Sequence, residues 1–255
     1  MNTVDRWIAR PRPNPRARLR LFCLAHAGGG ASAFRGWADA LPAEVEVCPV
    51  QLPGRENRIG EPAITRMEPL IDALLPAVAP YLDLPFALFG HSNGALIAFE
   101  LARRLRAEGR PGPVHLFASG RRAPDRSSGR EPTSHLPDAE FLADLHRLGG
   151  LPDALLQHQE LISLLLPTLR ADVALNECYV FGEQEPLDCP ITAYIGLADS
   201  KATNDQVQAW GRHTRAPFVI RGFPGGHFFL QEGRADFLRV LAADLLTVAR
   251  GLPAG

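Results

Sequence analysis

The sequence reads as an α/β fold: a mostly parallel central sheet with helices on both faces and a helical insertion. Three observations carry that expectation. Short apolar runs of strand character alternate with stretches of helical periodicity over residues 19–119, which is the rhythm of a parallel sheet with crossover helices. At residues 89–95, Phe-Gly-His-Ser-Asn-Gly-Ala sets a G-x-S-x-G between an apolar run and an amphipathic helix. From residue 120 to about 189 the strand rhythm stops and helical patterns take over.

Composition bounds the rest. A length of 255 residues allows one large α/β domain with a substantial core, and residues 1–255 are read as that single domain. The 46% hydrophobic content fits a globular chain, and a formal net charge of −1 supplies no strong field for nucleic acid or an anionic membrane. The 4 cysteines are widely spaced without a C-x-x-C pair, so buried free thiols are expected, not a zinc site or disulfides. Residues 1–20 mix Arg and Pro and lack the apolar core of a secretory signal. No apolar run approaches the length of a membrane span. A cytoplasmic monomer is the resulting expectation.

Taken in order, residues up to about 17 form an extended arm, because Pro11, Pro13 and Pro15 forbid helix. Residues 19–24 are the first strand, running into Ala25-His26-Ala27-Gly28-Gly29-Gly30. This glycine-rich loop has two readings. A nucleotide phosphate cradle lacks the G-x-G-x-x-G context and a Walker lysine. The favoured reading is half of an oxyanion hole, with the Ala27 N–H as donor. His26 there is read as structural. Residues 33–41 make a short helix, 45–50 a second strand and 51–55 a turn. Apolar residues at helical spacing over 67–82 lead into the strand 86–89. The helix after Ser92 runs to a cap at Gly109, and 114–119 is the next strand.

The insertion begins with Arg121, Arg122, Arg126 and Arg130 in a Pro/Ser/Gly loop. These arginines are either a solvated loop or a docking face for an acidic partner. Helices are expected at 138–148, 152–158 and 160–181, the last with Leu161, Leu165, Leu169 and Val173 on one stripe and Asp172 off it. At about 120–189 this region is either a lid hinged at Gly149-Gly150 or an ordinary pair of packing helices. The sheet resumes at 191–195 and ends in Gly196-Leu197-Ala198-Asp199. A helix at 203–213, a strand at 217–221, the loop Gly222 to His227 and helix within 228–250 complete the chain.

These elements place the chemistry. Gly90 and Gly94 let strand and helix approach closely, which holds Ser92 in a strained turn with its hydroxyl lifted clear. Asp199 and His227 each follow a later strand, giving the order Ser…Asp…His of α/β-hydrolases, with a helical lid insertion. His227 is the base and Asp199 orients it, while the N–H groups of Ala27 and Asn93 hold the oxyanion. The competitors are weaker. His213, at a charged helix end, is read as solvated or capping, Asp205 lies at a helix start, and Asp188 precedes its strand. Glu100 is structural.

Over nearly its whole length the chain resembles the type II thioesterases of nonribosomal peptide and polyketide synthesis. The shared motifs are Ala27-Gly28-Gly29, Leu52-Pro53-Gly54-Arg55, Gly90-His91-Ser92, Leu166-Pro167-Thr168-Leu169-Arg170-Ala171-Asp172, Leu187-Asp188-Cys189-Pro190 and Pro224-Gly225-Gly226-His227-Phe228-Phe229. The resemblance implies hydrolysis of acyl or aminoacyl groups from the phosphopantetheine arm of acyl or peptidyl carrier domains, clearing misprimed or stalled synthases. It implies no cofactor and no metal, since the arm belongs to the substrate. Asn93 stands where many members have Met, and Ser200 follows Asp199 where a proline is common. A carboxylesterase or acyltransferase of the same fold, or a noncatalytic carrier-binding protein, are the alternatives.

Overall fold

A computed structural model of the chain describes residues 6–149, 151, 155 and 157–253. Its centre is a six-stranded sheet: β1 (Leu19–Leu24), β2 (Val45–Pro49), β3 (Phe86–His91), β4 (His115–Ser119), β5 (Ile191–Gly196) and β6 (Phe218–Phe223). The spatial order is β2-β1-β3-β4-β5-β6, and every neighbouring pair is parallel. This is the α/β-hydrolase architecture expected from the sequence.

Five of the six strands are almost wholly buried, so their residues feed two cores in alternation. Phe22 and Leu24 face one side with Leu88, Ile191 and the helices Met67–Val78 and Asn93–Ala107. Leu21 and Cys23 face the other with Phe89, Phe117 and Tyr194, against Trp37 and the helix Arg234–Arg250. β6 is an edge strand whose first four residues alternate between half-buried and exposed, ending in the buried Phe223. The N-terminal arm docks on the opposite edge, where Ile8 makes an antiparallel bridge to Val50 and Arg58 lies 4.3 Å over the Trp7 ring.

Several element boundaries differ from expectation. Residues 33–41 are two single turns, Ala31–Phe34 and Trp37–Ala40, separated by Gly36 at φ +78. The helix expected to reach residue 82 changes to a 3₁₀ turn at Ala79–Tyr81, around Pro80, which has no N–H to donate. The segment at 203–213 is likewise a short helix, Asn204–Gln208, followed by a 3₁₀ turn. Near the C-terminus Gly233 separates Phe229–Glu232 from Arg234–Arg250.

Between β4 and β5 lie the helices Asp138–Arg147 and Gln159–Glu177. Phe141, Leu145, Leu151 and Leu169 form a small core of their own there. Of the expected stripe, Leu169 lies in this core and Leu165 and Val173 pack against it, but Leu161 is 41% exposed, and the buried side widens to Ile162, Thr168, Asp172 and Leu175. Residues 152–154 and 156 of the helix expected at 152–158, and the hinge glycine Gly150, lie outside the described residues. Cys23, Cys48 and Cys189 are buried free thiols and Cys178 is an exposed one. Among the described residues no helix is long and apolar enough to cross a membrane.

Candidate active site

The strand order reverses direction between β1 and β3, and the carboxyl ends beside such a switch point form the natural crevice of an open α/β sheet. Ser92 sits there. Its φ of 55° and ψ of −112° lie in a region that side chains avoid, at the N-cap of Asn93–Ala107. The neighbouring glycines make the turn possible. A Cβ at Gly90 would overlap the carbonyl of Gly94, and one at Gly94 would overlap the carbonyl of Leu24. The Ser92 N–H donates to Ser119 O at 2.8 Å, which ties the turn to the end of β4.

The loops after β5 and β6 run together. Leu197 N–H donates to Phe223 O and Ala198 N–H to Gly225 O, both at 2.9 Å. A Cβ at Gly196 would overlap Gly226 O. This close seam brings Asp199 Oδ2 to 2.8 Å from His227 Nδ1. The other oxygen of Asp199 accepts the Lys201 N–H at 2.8 Å. The Asp199 side chain is fully buried, so water does not compete for it. Asp205 is instead exposed in a first helical turn, and Asp188 is exposed at the opposite end of the sheet. His213 is not solvated: it is buried against Phe99, Phe181 and Trp210, with Nε2 3.0 Å from Asp125 Oδ1.

Ser92, Asn93, Ala27, His26, His227 and Phe228 line one cavity of about 540 Å³. The Ala27 N–H donates to no group among the described residues, and the Asn93 N–H opens a helix, where no intrahelical acceptor exists. His26 and His91 sit close by. Burial first, and the His227 ring second, push His26 down to about 4 and His91 well below its ordinary value, so both are neutral at pH 7. His91 Nδ1 pairs with Ser119 Oγ at 2.9 Å.

Both insertion helices contribute to the cavity wall, including Leu145, Leu148, Leu169, Val173 and Asn176. The longer helix is clamped to the sheet by groups that periodicity does not reveal. Asp172 receives Arg55 through two bonds, at 2.7 and 2.8 Å, and Gly28 N–H at 2.6 Å. Its carbonyl accepts Asn93 Nδ2 at 2.9 Å and Asn176 Nδ2 at 3.1 Å. Asn176 also donates to Asn93 Oδ1. One residue thus holds both the Gly28 loop and the start of the nucleophile helix. The four loop arginines do not form a single exposed face. Arg121 is buried, Arg122 Nε donates to Arg126 O at 2.9 Å, Arg126 lies beside Asp125, and Arg130 pairs with Asp144 at 2.8 Å.

Residues 19–245 match the family model described as "Thioesterase domain". The chain belongs to the thioesterase family. This thioesterase is 42% identical over 248 residues to "Gramicidin S biosynthesis protein GrsT" of Aneurinibacillus migulanus, covering 97% of each chain. Its fold is similar to that of the RedJ thioesterase of the prodiginine pathway in Streptomyces coelicolor, at TM-score 0.85 and 43% identity over 92% of this chain and 94% of that one. The type II thioesterase BorB of the borrelidin cluster matches at TM-score 0.85 and 38% identity, over 94% and 97%. This thioesterase is a hydrolase of thioesters on a serine-hydrolase fold, of the type II kind.

Proposed function

We propose that Ser92, His227 and Asp199 act as a triad that releases acyl or aminoacyl groups from the phosphopantetheine arm of carrier domains, and so edits misprimed or stalled synthases. The 2.8 Å pairing of His227 Nδ1 with the buried Asp199 Oδ2, with His227 and Ser92 lining one cavity, is the observation that carries this reading. Asp199 fixes the imidazole with its proton on Nδ1, leaving Nε2 as the base. His227 takes the proton of Ser92 as Oγ attacks the thioester carbon. The carbonyl oxygen gains charge, and the N–H groups of Ala27 and Asn93 donate to it, Asn93 from the positive end of a helix. The carbon–sulfur bond then breaks, and the thiol of the arm leaves with the proton from His227. Water enters by the same route in reverse: His227 removes its proton, the carbon–Oγ bond breaks, and Ser92 regains its hydrogen. The products are a carboxylic acid and a free thiol arm.

A carrier substrate needs a slot for its arm, and the cavity offers one between the sheet edge and the insertion. The test is a panel of acylated carrier domains beside the same acyl groups on free pantetheine and on small alcohols. The expected result is hydrolysis of both thioester sets, with kcat/KM higher on the carriers. Turnover of the oxygen esters alone would overturn the proposal.

A further inference from the structure

Arg121 stands two residues beyond the end of β4 and is only 9% exposed. Among the described residues its guanidinium makes one hydrogen bond, from Nη1 to Asn176 Oδ1 at 2.5 Å, and Nε has no partner. It forms no ion pair among the described residues. The ionisable groups it feels are Arg122, a second cation, and the phenol of Tyr179, which burial keeps neutral. A guanidinium remains charged at neutral pH, and a buried charge with no counter-ion is strongly destabilising. Yet this one lines the cavity that contains Ser92.

Two tethers keep Arg121 near the nucleophile. Ser119, two residues before it, accepts the Ser92 N–H at 2.8 Å, and Asn176, which accepts from Arg121, also donates to the side chain of Asn93. The surrounding wall is mixed: Leu145, Leu169 and Val173 flank the polar corner. A purely aliphatic acyl chain would leave the guanidinium unpaired.

We propose that this cavity is built for acyl groups that carry a carboxylate beyond the thioester carbonyl, short dicarboxylic half-thioesters, with Arg121 as the receptor of the distal carboxylate. The inference rests on the reading of Ser92 as nucleophile, because that sets which end of the substrate lies at the elbow. The planar fork suits a carboxylate, and a bond between two opposite charges out of water is among the strongest available. The phosphate of the arm is a poor candidate. With the thioester carbon at Ser92, that phosphate lies a full arm's length away towards the mouth, while Arg121 is tied to the residues beside Ser92.

The experiment compares succinyl-pantetheine with succinamoyl-pantetheine, which has the same size but no charge. Binding is measured by calorimetry on the Ser92→Ala chain and kcat/KM on the wild type. Succinyl should be preferred by about 10- to 100-fold in both, the range of one charge-assisted bond. Arg121→Gln should abolish most of that ratio, and Arg121→Lys should keep part of it; circular dichroism checks that both variants fold. Equal affinity for the two substrates in the wild type would overturn the proposal, as would a ratio that survives Arg121→Gln. The same pair is run on phosphopantetheine: if Arg121→Gln weakens both phosphopantetheine substrates equally and neither pantetheine substrate, the anion is the phosphate and the proposal is wrong. Continued hydrolysis by Ser92→Ala would instead overturn the nucleophile while leaving the binding comparison intact.

Discussion

Asp172→Asn should unfasten the long insertion helix from the sheet. The side chains of Arg55 and Asp172 are 4% and 5% exposed, so solvent does little to screen the pair. Removing one charge leaves the guanidinium of Arg55 buried without a counter-ion. Breaking such a pair costs about 3–5 kcal/mol. For a chain of this size each kcal/mol is about 2–4 °C in Tm, so the expected fall is about 6–20 °C. The same substitution weakens the acceptor of the Gly28 N–H, and Gly28 follows Ala27 directly. Loss of one oxyanion donor lowers kcat by about 100- to 1,000-fold, and the upper end of that range bounds the kinetic effect from above. Thermal unfolding by circular dichroism and thiol release under steady state read the two effects. The double change Arg55→Met with Asp172→Leu should recover much of the stability, since it leaves no orphan charge, while the kinetic defect persists. If Asp172→Asn keeps its Tm within about 2 °C of wild type, the clamp contributes nothing and the reasoning fails.

Two further outcomes are expected. Asp199→Asn should lower kcat by about 10⁴-fold with KM little changed, because the wrong tautomer of His227 is then favoured, whereas Asp205→Asn should stay within about 2-fold; the reverse ranking in a steady-state assay would reassign the acid. Burial pushes His115, beside Phe117 and Thr192, down to about 4, against about 6.5 in an unfolded chain. Its folded form therefore resists the proton that the unfolded chain accepts, so its contribution to stability is intact above pH 6.5 and lost as pH falls towards 4, by at most about 1.4 kcal/mol per pH unit. His115→Gln should flatten the fall of Tm over that window, and an unchanged slope would show that His115 titrates normally.

The strands were legible because they are short apolar runs, and the elbow because Gly90 and Gly94 have one steric use there. The pairing of Asp199 with His227 was legible from their places after β5 and β6, since a loop that follows a parallel strand opens on the same sheet edge as Ser92. What periodicity missed lies where tertiary partners override pattern. Asp172 reads as a surface residue on a helix, and only Arg55, more than a hundred positions earlier, makes its burial tolerable. The one available signal was that both residues fall in motifs shared with the type II thioesterases. His213 and Arg121 failed in the same way: a charge count on a loop or helix end carries no information about the aromatic cage around His213 or the cavity wall behind Arg121. Helix ends at Gly36, Pro80 and Gly233 were blurred because the apolar pattern continues across each break.

The most direct test of the account is intact-mass spectrometry of the enzyme quenched in acid during turnover of an acyl-pantetheine, followed by peptide mapping. A mass increase equal to the acyl group, located on Ser92 and absent from Ser92→Ala, is the expected result. An adduct on another residue, or full turnover by Ser92→Ala, would contradict it.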